Sequence, residues 1–218
     1  MSIHQLSNQG FELFLQTLQD HNLQTKVIEE GQYILKQGQT ITELYWVELG
    51  EFGLEYSAPN GRTYSLGLNL VDKHLFGEDE FLTESLCQFS VCAYATVEVK
   101  VIPVALMTEL LKQHPSVAVW LSCYLSRRYQ NGMYDAMNRF LYPLMYNVAL
   151  DVYERYLGLK PEVSFDQVYK EAARFGCSER VYRRVVNQLI DKGLLSRDGA
   201  VLSMVDVETM KQFIDSNE

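Results

Sequence analysis

Residues 165–197 read FDQVYKEAARFGCSERVYRRVVNQLIDKGLLSR. Val168, Ala172 and Phe175 recur at helical spacing, and Gly176 ends that helix where a tight inter-helix turn needs a residue free of Cβ strain. Ser178 is a good N-cap for a second helix. That helix turns Val181, Tyr182, Val185, Leu189 and Ile190 inward and leaves Glu179, Arg180, Arg183, Arg184 and Asn187 outside. Small Ala172 lets the two helices approach closely. Leu194–Arg197, the Asp198-Gly199 turn and Ala200–Ser203 then predict a two-stranded wing, and Val205–Ile214 a last amphipathic helix. The pattern predicts a winged helix-turn-helix with double-stranded DNA as its partner. A recognition helix enters the major groove N-terminus first, where long donors reach guanine edges and phosphates. Ser178, Glu179, Arg180, Arg183 and Arg184 are the candidate DNA-binding residues. Charge runs are ordinarily solvated faces, but here a turn glycine, a cap serine, an inward apolar set and a wing surround one. Glu171 and Arg174 stand where such first helices often carry apolar residues, which predicts a rotated or slightly irregular helix.

Upstream lies a longer helical pattern. Pro115 suits the first turn of a helix, and from there Leu121, Leu125, Tyr129, Met133, Met137 and Phe140 form one apolar seam over about six turns. A small domain needs no helix this long to cover itself, so the seam predicts a homodimer interface made of those six residues. The alternative is a core helix packed on its own β-domain. Pro143 breaks this helix and starts another over about 143–157, followed by the loop Gly158–Ser164 with Pro161.

Before residue 104 the pattern is β. Val27-Ile28, Tyr33–Leu35, Leu44–Val47, Phe52–Leu54 and Tyr64–Leu66 are short runs separated by Gly31, Gly38, Gly50 and Pro59-Asn60-Gly61. Strands resume at Val91–Ala95 and Val97–Pro103, and short helices are predicted over 9–21 and 105–112. Short strands with glycine turns indicate a β-roll or barrel. The fold class is therefore α+β: a jelly-roll-like β-roll sensor domain over 1–114, a dimerisation helix over 115–141 and a winged helix-turn-helix over 142–218.

Charge is uneven. The chain of 218 residues carries a net −9, which disfavours a generic nucleic-acid binder. Residues 1–140 hold 9 Lys and Arg against 16 Asp and Glu, whereas residues 166–197 hold 7 against 4. An acidic body with one basic segment fits a protein that touches polyanions through a single element. Cys87, Cys92, Cys123 and Cys177 are scattered, with no Cys-x-x-Cys pair, so no metal site is predicted and reduced thiols are expected. No apolar run approaches the roughly 18 residues of a membrane span. The N-terminus lacks a basic stretch followed by an apolar block, so a cytoplasmic location is expected. No Ser/His/Asp set, phosphate-cradling glycine loop or metal-spaced His/Cys pair points to an enzyme.

These segments together resemble the cyclic AMP receptor protein/FNR (Crp/Fnr) family over nearly the full length. The resemblance rests on Leu35–Gly38, Glu43–Val47, Gly50-Glu51, Asn60–Arg62 and Phe76–Glu78 in the β-roll, and on Leu125–Gln130 in the long helix. In the DNA-binding segment it rests on Gly176–Ser178 followed by Arg184. It implies a homodimeric transcription regulator of palindromic operators, with RNA polymerase as a further partner and an effector pocket between β-roll and central helix. The pocket residues it implies are Gly77, Glu78, Phe89, Ser90, Tyr129 and Met133. Here the sequence departs from the nucleotide-binding pattern. The family's phosphate-gripping arginine falls on Phe89 or Gln88, and no arginine lies between Arg62 and Arg127. Its adenine-contacting hydroxyls fall on Gly132 and Met133. A phosphate buried without its bidentate partner loses its main charge-assisted contact, so cyclic AMP is not the expected effector and no cofactor is assigned. His74 is the one histidine near the pocket, and a lone histidine is more often structural or surface than a haem ligand. With Phe81 added, an aromatic and thioether-lined pocket would suit a hydrophobic effector or be plugged by its own side chains. The Glu78-Asp79-Glu80 triplet reads as a solvated turn. The competing reading is a β-roll binding module that acts on a protein partner and carries a degenerate helix-turn-helix.

Overall fold

Ser2 starts the first helix. Its hydroxyl accepts the Gln5 N–H and the Gln5 side chain accepts the Ser2 N–H, so α1 runs Ile3–Asp20. Apolar spacing places its start at residue 9, whereas the reciprocal cap sets it at residue 3, because the polar first turn shows no stripe. The computed structural model describes residues 2–61, 63–158, 168–199 and 201–217, without side chains at 63–70, 170, 173 and 201. Most of the expected 158–164 loop, the first residues of the 165–197 segment, Arg62 and Ala200 lie outside the described residues.

The strands that follow are β1 (Thr25–Ile28), β2 (Tyr33–Leu35), β3 (Glu43–Ser57) and β4 (Thr63–Phe76). After the short helix α2 (Glu78–Thr83) come β5 (Ser90–Ala93) and β6 (Val97–Pro103). They form one curled sheet in the order β1-β6-β3-β5-β2, with β4 on β3. The pairs β1–β6, β3–β6, β3–β5 and β2–β5 are antiparallel. Gly31, Gly38 and Gly61 adopt positive φ at their turns, and the Gly61 N–H closes its turn on the Ala58 carbonyl. Gly50 does not turn the chain, contrary to expectation. β3 continues through it; a Cβ there would lie 2.8 Å from Cε2 of Phe52 and one at Gly53 would lie 2.3 Å from the Tyr94 hydroxyl. These glycines make room for rings lying on the strand.

Two helices complete this part, α3 (Val104–Gln113) and the long α4 (Pro115–Leu141). Phe14 and Leu18 of α1 join Leu44, Trp46, Leu75, Ile102, Met107, Val117, Trp120 and Leu121 in one core. A second core between the sheet faces holds Leu35, Val47, Phe52, Phe76, Val91 and Val99.

The remaining elements are α5 (Leu144–Tyr156), α6 (Val168–Arg174), α7 (Glu179–Asp191), β7 (Leu195–Asp198), β8 (Val201–Met204) and α8 (Val207–Asp215). Tyr146, Ala149, Val152, Ala172, Tyr182, Val185, Val186, Leu189, Leu195 and Met210 are buried together. At the corner after α4 the buried Asn147 amide donates to the carbonyls of Asn138, Tyr142 and Pro143, tying the end of α4 to the start of α5. By contacts the chain divides into two compact units, Met1–Thr63 with Val71–Met133, and Tyr64–Leu70 with Tyr134–Glu218.

Candidate nucleic-acid interface and sensor pocket

Ser178 caps α7, its hydroxyl accepting the Val181 N–H at 3.4 Å, and Gly176 takes φ 64° in the turn before it. Tyr182, Val185, Val186 and Leu189 form the buried face. Val186 belongs to that face although sequence spacing omitted it, and Val181 is only half-buried. Glu179, Arg180, Arg183, Arg184 and Asn187 are exposed. One exposed ion pair joins Arg183 to Glu179 at 3.4 Å, while Arg180 and Arg184 sit one turn apart on the same face. β7 and β8 pair antiparallel behind the helix.

Of the two expectations for α6, irregular or rotated, the helix is regular over Val168–Arg174 and turns Glu171 to its buried side. Glu171 and Arg174 both turn from α6 onto α5. Arg174 forks onto Asp151, with Nη1 2.8 Å from Oδ1 and Nη2 2.5 Å from Oδ2, and Nη2 also lies 2.9 Å from Glu171 Oε2. Arg155 is 2.9 Å from Asp151 and 3.8 Å from Glu171. The polar pattern thus reports a buried ionic contact, which spacing on a single helix could not reveal.

In the β-roll unit, Gly77 takes a left-handed conformation (φ 89°) at the N-terminus of α2. Glu78, the first residue of α2, is buried and ion-paired to Arg128 of α4; it does not belong to a solvated turn. The Ser90 hydroxyl accepts the Gln37 N–H at 3.0 Å, and the ring of half-buried Phe89 lies 6.1 Å from that of Tyr56. Tyr129 and Met133 are exposed on α4. Phe81 packs onto the α1–α4 core instead.

The residues that join α4 to β4 and α2 are ones the sequence reading passed over, Tyr124 and Arg128. The Leu75 N–H donates to the Tyr124 hydroxyl, which lies 3.0 Å from Nδ1 of His74. The phenol oxygen thus joins the Leu75 backbone to the His74 ring. Burial, followed by the Arg128 guanidinium, pushes the His74 pKa down to about 3, so the ring is neutral. Burial raises the Tyr124 phenol. The signal for both residues was present: Tyr124 and Arg128 lie three and seven positions beyond Leu121, on its face of the helix.

The apolar seam of α4 divides. Leu121 is 2 % exposed in its own core and Leu125 packs half-buried against it. Beyond them Tyr129, Met133, Met137 and Phe140 are exposed, the last at 83 %, together with Tyr134 and Leu141.

Residues 25–114 match the family model of the cyclic nucleotide-binding domain. The c-di-GMP-responsive global regulator CLP of Xanthomonas campestris superposes with a TM-score of 0.69 at 18 % identity, covering 91 % of this chain and 99 % of that one. A CRP/FNR-family transcriptional regulator from Thermus thermophilus gives 0.64 at 21 %, covering 89 % and 100 %. FixK2 of Bradyrhizobium japonicum gives 0.70 at 13 %, covering 88 % and 97 %. The chain has the Crp/Fnr fold. No curated protein matches it by sequence. Within the Crp/Fnr fold this chain sets Glu78 against its own Arg128 and commits Ser90 to Gln37. Among the described residues no helix is long and apolar enough to cross a membrane, and no cluster of three or more metal-ligating side chains occurs.

Proposed function

We propose that the chain is a homodimeric, sequence-specific DNA-binding transcription regulator whose DNA binding does not depend on cyclic AMP. The observation that carries this reading is α7. It is a capped helix with a continuous buried face and three exposed arginines within five residues, preceded by α6 and followed by a β-hairpin, in a chain of Crp/Fnr fold. Arg180 and Arg184 are the base-reading residues, and Arg183, tied to Glu179, lies against phosphate. The exposed apolar side chains from Tyr129 to Phe140 form the face that meets a second copy. Two copies related by a two-fold axis place their recognition helices about 34 Å apart, one helical turn of DNA. The operator is then an inverted repeat with half-sites spaced by one turn. RNA polymerase is the further partner that a regulator bound there would engage.

Independence from cyclic AMP follows from the sensor site. A cyclic phosphate needs a bidentate cation; no arginine lies between Arg62 and Arg127, and Arg128 is engaged by Glu78. The test is selection from random duplex DNA with the purified protein, with and without cell extract. The expected result is enrichment of one palindrome. Recovery of none in either condition overturns this reading in favour of a β-roll module that acts on a protein partner.

A further inference from the structure

A helix-turn-helix ordinarily rests its first helix on apolar side chains; α6 adds to its apolar contacts, through Val168 and Ala172, a cluster of four charges shared with α5. Asp151, Arg155 and Glu171 are buried, Glu171 at 1 % exposure. Arg174 bridges both carboxylates and Arg155 closes the ring from one turn along α5. Two carboxylates and two guanidiniums leave the cluster formally neutral. Burial raises the Glu171 carboxyl against the pull of Arg174 and Arg155. Burial alone would lower Arg174, but its hydrogen bonds to Asp151 together with the charges of Asp151 and Glu171 outweigh that and hold it firmly protonated.

The cluster also reaches the recognition helix. The Arg174 guanidinium lies 4.8 Å from the centre of the Phe175 ring. That ring stacks on Tyr182 of α7, with centroids 5.8 Å apart and planes inclined by 20°. Tyr182 is buried, and burial together with Glu171 raises its phenol. A chain of contacts therefore runs from α5 through Arg174, Phe175 and Tyr182 into the helix that carries Arg180, Arg183 and Arg184.

We infer that Asp151, Arg155, Glu171 and Arg174 are positioning residues for DNA recognition: their ionic ring sets the orientation of α6 and, through Phe175 and Tyr182, that of α7. The inference rests on the DNA-binding reading above. Stability does not account for the ring, because replacing buried ion pairs by apolar groups of similar volume is often neutral or stabilising. An apolar seam between short helices admits several packings of similar energy, since dispersion has little directionality. A forked guanidinium–carboxylate pair is satisfied in one geometry. A ring of four such groups removes the alternatives.

Three proteins test this: wild type, the fourfold apolar variant Asp151→Leu/Arg155→Met/Glu171→Met/Arg174→Met, and Arg174→Lys, which keeps the charge and loses the fork. Thermal unfolding, preference for the wild-type-selected palindrome over a scrambled site, and amide exchange across 168–191 are measured for each. The apolar variant is expected to unfold no earlier than wild type, yet to lose roughly tenfold in preference and to exchange faster in α6 and α7. Arg174→Lys is expected to show a smaller loss in the same direction. A folded apolar variant with wild-type preference or wild-type exchange overturns the inference. If that variant does not fold, Arg174→Lys decides, and wild-type values there overturn it equally. Exchange needs no DNA, so a wild type that selects no palindrome overturns the DNA reading alone.

Discussion

Arg180 and Arg184 are exposed one turn apart on α7, and Arg183 between them is drawn toward Glu179. That geometry separates their expected roles. Replacing Arg180 or Arg184 by Ala should relax preference at one base pair per half-site by about 1–3 kcal/mol, the worth of one bidentate guanine contact. Arg183→Ala should weaken all sequences about equally. Selection experiments on the three variants read the difference, and a uniform loss for Arg180→Ala would remove it from base reading. At the same scale, His74 links stability to pH. Its native pKa of about 3 lies below the ordinary 6.5. Between these values the unfolded chain binds a proton that the native ring refuses, so stability is full above pH 6.5 and falls as pH drops toward 3. Going from pH 8 to pH 5 should cost about 2 kcal/mol from this group. Urea unfolding at the two pH values should show that loss in wild type and a shallower one in His74→Gln; equal slopes would mean that His74 is protonated in the native protein.

At the scale of elements, α4 serves two surfaces. Its first half is fixed by Val117, Trp120 and Leu121 in the sensor core and by Tyr124 and Arg128 on β4 and α2. Its second half presents apolar side chains to solvent. Met133→Glu would place like charges across the proposed two-fold axis, at a cost of several kcal/mol. Light scattering at micromolar concentration should find the variant monomeric and the wild type dimeric, and a monomeric wild type would remove the dimer proposal. The other end of α4 meets α1 at Gly10, where a Cβ would lie 1.9 Å from the Ser116 carbonyl oxygen. Gly10→Ala must push the two helices apart, and overpacking of this kind costs about 1–3 kcal/mol. Urea unfolding measures it; an unchanged midpoint would show that α1 shifts freely.

For the molecule as a whole, the distribution of charge sets what it binds. An acidic body and a basic 166–197 segment are the charge distribution expected of the proposed regulator, which would touch a polyanion through that segment alone. In the β-roll unit the Arg128 guanidinium is paired within the chain, to Glu78. Titration calorimetry with cyclic AMP should therefore show no saturable heat up to about 1 mM, which bounds any affinity at roughly −4 kcal/mol. Micromolar binding would mean that Arg128 leaves Glu78 for the phosphate.

Much of this architecture was legible in the sequence because it is written in local signals. The Gly176 turn, the Ser178 cap, the 3.6-residue stripes of α7 and α4, and the Pro115 and Pro143 helix boundaries each act within a few residues. Other features depend on contacts between distant parts of the chain. Gly50 reads as a turn until Phe52 and Val97 are seen to lie against it. Glu78 reads as a surface acid until Arg128 is brought onto it from fifty residues away. Leu121 and Phe140 share one stripe, and only the packing of α1 and the sheet buries the first while leaving the second in solvent. Glu171 and Arg174 are charges on an apolar face until α5 supplies Asp151 and Arg155. Periodicity records which residues share a face of an element; only the tertiary structure decides what that face meets, because burial and charge pairing depend on the partner as much as on the residue.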